Sequence, residues 1–155
     1  MAISELNHHR RASSPVEPPV PAAAEAAADD PEFEVVGFRE FSATPEEVAE
    51  ARHFAHRTLA ARGASDEVVA AADLVVEEFA LHAIRQTGTG FSVSVEVAPG
   101  VVRVAVRDDS NVFPQIGEAA RTSIGGMGLS IIASTAEQWG AESLGRGKEV
   151  WAELR

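Results

Sequence analysis

Phe91-Ser92-Val93-Ser94-Val95-Glu96-Val97-Ala98-Pro99-Gly100-Val101-Val102-Arg103-Val104-Ala105-Val106 alternates apolar and polar residues on both sides of a Pro-Gly pair. In an extended chain successive side chains point to opposite faces. Phe91, Val93, Val95 and Val97 therefore share one face, and Ser92, Ser94 and Glu96 the other. Val102, Val104 and Val106 carry the pattern past the turn. The stretch predicts an antiparallel hairpin with one apolar face, and that face needs a cover.

The cover lies upstream. A short apolar stretch from Val35 to Phe41 reads as a strand. It is followed by a helix start: Thr44 as N-cap, Pro45 at the first helical position and Glu47 three residues on. Val48, Ala51, Ala55 and Leu59 mark one face, with Phe54 beside it, and Gly63 stops the helix after Arg62. Ser65 caps a second helix, which runs to Gln86 with Asp66 and Glu67 favourably placed in its first turn. Val68, Ala72, Val75, Phe79 and Ala83 fall at helical spacing, and Leu74, Val76, Leu81 and Ile84 widen the apolar surface. A helix apolar over so much of its girth is covered on more than one side.

Downstream, Asp108 to Gly126 has no period and reads as a long loop, of a length that compact domains use for lids. Met127 to Glu137 reads as a short helix and Trp139 to Glu142 as a strand. Gly145-Arg146-Gly147 turns the chain into a last strand, Glu149 to Leu154, with Val150 and Ala152 alternating against Trp151 and Glu153. Helices and strands are segregated. The order predicts an α+β fold, a two-layer α/β sandwich with helices on one face of a mixed, mainly antiparallel sheet.

The chain has 155 residues, 45% of them hydrophobic, and 13 Lys+Arg against 24 Asp+Glu give a net charge of −11. That suits one folded domain. Pro15, Pro18, Pro19, Pro21 and Pro31 break up residues 1–32, which read as a disordered tail ahead of a domain at 33–155. His8-His9 and Arg10-Arg11-Ala12-Ser13-Ser14 read as part of that solvated tail. With no apolar segment after Arg10-Arg11, there is no twin-arginine export signal, and a cytoplasmic protein is expected. Absence of cysteine removes disulfides, thiolate metal sites and cysteine nucleophiles. No apolar run approaches the ~20 residues that span a bilayer, so no membrane partner is expected. The acidic balance argues against direct nucleic-acid binding, which needs clustered positive charge. It permits a basic protein partner. Lys148 is the only lysine, the other twelve basic residues being arginine.

Three separated elements can meet at one pocket. Glu78 and His82 lie one turn apart on the second helix. Arg107-Asp108-Asp109-Ser110 stands where a strand ends, and Gly125-Gly126-Met127-Gly128-Leu129 precedes a helix. A glycine-rich turn feeding a helix N-terminus offers free N–H groups to phosphate, and a strand-end acid can accept a hydrogen bond from an adenine amino group.

Taken in order, these blocks resemble the anti-sigma-factor serine kinases of the GHKL superfamily, the histidine-kinase-like ATP-binding domains of bacterial regulators. The resemblance covers about residues 33–154. It rests on Asp73-Leu74-Val75-Val76-Glu77-Glu78-Phe79-Ala80-Leu81-His82-Ala83 for the N-box helix and on Val104-Ala105-Val106-Arg107-Asp108-Asp109-Ser110 with Pro114. It continues through Gly125-Gly126-Met127-Gly128-Leu129, Gln138-Trp139-Gly140 and Gly147-Lys148-Glu149-Val150-Trp151-Ala152-Glu153-Leu154. It implies a Bergerat-type fold with ATP between the helical layer and the lid. By the same resemblance Asp108 takes the adenine-recognising position, Gly126 and Gly128 the phosphate-loop positions, and Glu78 the general base that activates a partner's serine. Arg121, in the lid, is assigned to phosphate charge without a motif behind it.

Four positions depart from the family pattern. His82 stands where the family has the asparagine whose oxygen ligates Mg²⁺, and a hard ion prefers oxygen to imidazole. A protonated His82 would instead contact phosphate directly. Ser110 replaces a glycine, which needs a backbone without positive φ. Gln86 and Met127 replace residues that are often basic. No residue is assigned as a metal ligand.

The resemblance implies a regulator that binds a sigma factor or a STAS-like anti-anti-sigma protein, forms a homodimer, and phosphorylates a partner serine with Mg²⁺-ATP. The alternative is a non-catalytic member that keeps the fold only to bind protein. A sensor-kinase type acting on histidine would bring a dimerising phosphoacceptor helix pair, which the sequence does not contain.

Overall fold

A computed structural model describes residues 31–112, 132 and 134–155. In chain order the elements are β1 (Glu34–Phe41), α1 (Pro45–Ala61), α2 (Asp66–Thr87), β2 (Phe91–Ala98), β3 (Val101–Asp108), β4 (Gln138–Ser143) and β5 (Lys148–Leu154). The helix starts follow the predicted chemistry. Thr44 Oγ1 accepts from the Glu47 N–H at 3.2 Å, and Ser65 Oγ accepts from the Val68 N–H at 3.2 Å. α2 ends on Gly88, whose φ of +62° suits glycine and whose N–H donates to the Ile84 carbonyl.

The five strands lie in the order β1-β2-β3-β5-β4. All four pairings among the described residues are antiparallel, so the sheet expected to be mixed and mainly antiparallel is wholly antiparallel there. Register fixes which side chains share a face. Val93 pairs with Val106 and Val95 with Val104. Val106 then pairs with Val150, and Val104 with Ala152. All six are buried under the helices. Each fully buried valine contributes roughly 1.5–3 kcal/mol.

α1 and α2 pack against one another and cover this face, α2 lying over β3 and β5. Ala72, Ala80 and Ala83 on α2 and Ala51 and Ala55 on α1 are completely buried. Their small side chains let the helices sit close to the sheet, while Phe79 and Leu59 fill the wider gaps. The opposite face has no helix among the described residues. Trp151 lies there beside Gly140, under the Arg103 guanidinium at 4.9 Å from its ring centroid. Trp139 instead packs against the core.

Element boundaries agree with the sequence reading to within one or two residues. Of the short helix expected over 127–137, Ile132, Ser134 and Thr135 are helical and Ala136 and Glu137 are not. The rest of that helix lies outside the described residues, as do residues 1–30 of the expected tail and 113–126 of the expected lid.

Candidate functional site

The inner face of the sheet ends in charge. At the last register position of β3 and β5, Asp108 stands opposite Lys148. Residues alternate along β5, so Lys148 falls on the same face as Val150, Ala152 and Leu154, directed under the helices. Its Nζ donates to Asp108 Oδ1 and Oδ2, each at 2.8 Å. Side-chain exposure is 0% for Lys148 and 2% for Asp108. Burial pulls the lysine pKa below its usual 10.5, and the Asp108 carboxylate opposes that shift by hydrogen bond and by charge.

Asp108 also organises the chain that follows it. Its Oδ1 accepts from the Ser110 N–H at 2.7 Å, and Ser110 Oγ accepts from the Val112 N–H at 2.9 Å. Ser110 is buried and its φ is not positive, so its side chain is tolerated at the position where the resemblance implies glycine. The Val112 carbonyl then accepts from His82 Nε2 at 3.3 Å, which ties this turn to α2. His82 is half-buried. Burial and the nearby Lys148 ammonium push its pKa below 6.5, against the Val112 bond and the Asp108 charge, so the imidazole is neutral at pH 7 and donates its one N–H to Val112.

Glu78, one turn earlier on α2, is also half-buried. Burial raises its pKa above 4.5, reinforced by Glu77 and opposed by Arg85. That direction suits a group exchanging protons. A cavity of about 410 Å³ opens at the strand ends. Its lining includes Phe41, Phe91, Arg107, Asp108 and Arg146, but neither Glu78 nor His82.

Of the residues singled out from sequence, Asp108 and Ser110 are in direct contact, and His82 joins them through Val112. Arg121, Gly126 and Gly128 lie outside the described residues. Lys148 was not singled out for the site. The signal was present: it is the only lysine, and β-strand alternation from Val150 places it inward. His53 and His56 on α1 are exposed, and His56 Nδ1 lies 3.2 Å from Asp73 Oδ2.

The fold, an antiparallel sheet covered on one side by two helices with a polar site at the strand ends, defines an α+β sandwich of the GHKL ATPase type. The chain belongs to the histidine kinase-like ATPase domain family, whose model matches residues 41–154. No curated protein matches it.

Membership supports an ATP-type site, and the described residues test its two ends. At the adenine end, the acid that would accept the amino group already accepts two bonds from Lys148 and one from Ser110. At the other end, His82, which the resemblance sets at the metal-ligating position, is a neutral imidazole whose N–H is engaged by the Val112 carbonyl. No group of three or more His, Asp or Glu side chains among the described residues is placed to hold a metal ion. Of the residues that the resemblance assigns to these two ends, Asp108 is already engaged and His82 offers no oxygen ligand, so these two side chains do not fit Mg²⁺-ATP.

Proposed function

We propose that this chain is a cytoplasmic regulator of the anti-sigma type, which works by holding a protein partner rather than by phosphorylating it. The partner is a sigma factor or a STAS-like anti-anti-sigma protein, and the acidic chain suits a basic contact surface on it. Family membership supplies the scaffold. The observation that carries the non-catalytic reading is the bond from His82 Nε2 to the Val112 carbonyl. A neutral imidazole so engaged supplies neither an oxygen ligand for Mg²⁺ nor a cation for phosphate. Among the described residues no helix is long and apolar enough to cross a membrane.

A serine-kinase reading has one observation in its favour. Glu78 is half-buried with a raised pKa on the helix where that reading requires a base. One experiment separates the two. Purified full-length chain is mixed with each sigma factor and STAS-like protein of its own genome, with and without Mg²⁺-ATP. Size-exclusion chromatography reads complex formation, and intact mass reads phosphorylation. The expected result is a complex that forms without nucleotide and a partner whose mass is unchanged. A partner gaining one phosphate only with Mg²⁺-ATP establishes the kinase reading. No complex with any of these proteins removes the anti-sigma reading.

A further inference from the structure

We propose that Lys148 is a built-in occupant of the adenine-recognition position, so that this chain takes no adenine nucleotide at Asp108. The inference concerns the adenine end alone. A partner complex forms or fails to form independently of it.

Recognition of an adenine amino group requires an acceptor oxygen that can be reached. A carboxylate has two oxygens and about four lone-pair sites. On Asp108, Oδ1 takes the Lys148 ammonium and the Ser110 N–H, and Oδ2 takes the ammonium again. The remaining capacity is sealed, because the carboxylate is 2% exposed and the lysine side chain 0%. Chemically, Lys148 is the same kind of partner that adenine would be, an N–H donor directed at a carboxylate. It is a stronger one, since the ammonium adds a full opposite charge to a bond that adenine would make to the carboxylate as a neutral donor.

Three features hold the lysine where it is. Its Cα is fixed opposite Asp108 by the β3–β5 register. Gly147 precedes it at φ +83°, and a side chain there would be driven into the Asp108 carbonyl oxygen, so the two backbones are in close approach. The Ser110 and Val112 turns anchor the other side of the carboxylate to α2 through His82. For an adenine to reach Asp108, the ammonium must leave, and every arriving amino group forms weaker bonds than the one it displaces. The identity of the residue matters as well. A shorter neutral side chain at 148 leaves Oδ2 unpaired and Oδ1 with only the Ser110 N–H, beside a space the length of the lysine arm.

Isothermal titration of the full chain with ADP in EDTA, and with adenosine alone, isolates this end of the site from the metal and the phosphates. Wild type is expected to show no saturable binding of either up to millimolar concentration. Lys148→Ala is expected to bind ADP at least ~10-fold more tightly than wild type, because one charge-assisted acceptor is released. Adding Asp108→Asn to that variant is expected to abolish the gain. Wild type binding adenosine as tightly as Lys148→Ala overturns the proposal. So does a folded Lys148→Ala that still binds nothing, since Lys148 is then not what closes the position.

A second measurement needs no variant. Lys148 is the sole lysine, so its amine-acylation rate is read directly by peptide mass. In the folded chain it is expected to be at least ~10-fold slower than in the denatured chain, and unchanged by ADP, because labelling requires local opening. Labelling at the denatured rate shows an ammonium that is free, and overturns the proposal.

Discussion

β3 and β5 exchange charge at three register positions, and the two sides of the sheet treat those charges differently. Arg107 pairs with Glu149, and Arg103 with Glu153, on the face without a helix. Asp108 pairs with Lys148 on the face beneath α1 and α2. Arg107 is mostly exposed, so water competes for its guanidinium and screens the pair. Arg103 is intermediate: it reaches both Glu153 and Glu96 and lies over the rings of Phe33 and Trp151. Lys148 and Asp108 have almost no contact with water, and each compensates the other's desolvation. The same cross-strand geometry thus gives a surface contact on one side and an obligate pair on the other. A group on the inner face is committed to its partner, and that commitment separates a site available to a ligand from one already spent.

The sharpest way to break this contrast is Asp108→Asn. It leaves the Lys148 ammonium buried against a neutral amide, and removing one partner of a buried pair typically costs about 3–5 kcal/mol. Chemical denaturation should show a loss of that size. The double variant Asp108→Leu/Lys148→Met should recover most of it, because no buried charge is then left alone. A single variant within about 0.5 kcal/mol of wild type would put Asp108 in the same class as the exposed pairs.

Gly147→Ala comes next. The residue has a φ of +83°, and a Cβ would collide with the Asp108 carbonyl oxygen. Both the left-handed backbone and the overlap are unfavourable, together about 2 kcal/mol. Gly145→Ala, with φ +80° but nothing within 4 Å of its Cβ, should lose about 1 kcal/mol, which isolates the effect of the close approach. Equal losses at the two glycines would mean that the β5 entry is not held tightly against Asp108.

Much of the fold was legible because it follows from period and caps. The alternation of Phe91–Val97 and Val102–Val106, the Thr44 and Ser65 caps and the Gly63 stop each act over a few residues, and the structure retains them. The site was legible in part. Asp108, Ser110 and His82 do converge, but the residue that determines what Asp108 can do is forty positions away. Sequence alternation places Lys148 inward, yet only the β3–β5 register sets it opposite Asp108, and register is a property of two strands together. The Val112 carbonyl that engages His82 belongs to an irregular segment with no pattern to read.

His82 gives a smaller, pH-dependent test of the same inner region. Its pKa is lowered in the folded chain, so between pH 6.5 and that lower value the unfolded chain binds more protons. Its contribution to stability is therefore present above pH 6.5 and lost as the pH falls. Partial exposure keeps that contribution small. Melting temperatures of wild type and His82→Gln, compared from pH 8 to pH 5, should diverge below 6.5, with wild type losing more. Glu78 has the opposite sign: its raised pKa stabilises below 4.5, and that contribution is lost as the pH rises. Glu78→Gln should leave the divergence below pH 6.5 in place. A wild type that falls in parallel with His82→Gln would mean that the imidazole is solvated.

The smallest expected effect is at Arg107, one residue before Asp108 and on the other side of the sheet. Its guanidinium lies against Glu149, but more than half of the side chain is exposed, and the pair sits in water that can replace either partner. Ion pairs of this kind contribute about 0.2–1 kcal/mol and weaken with salt. Arg107→Ala should therefore cost less than about 1 kcal/mol, and most of that loss should vanish at 1 M salt, where the screening length is about 3 Å. The loss at Asp108 should persist at the same salt concentration, because ions do not enter beneath the helices. If the two losses responded to salt alike, burial would not distinguish the pairs. Asp108 would then be open to solvent and to any ligand that solvent can carry there.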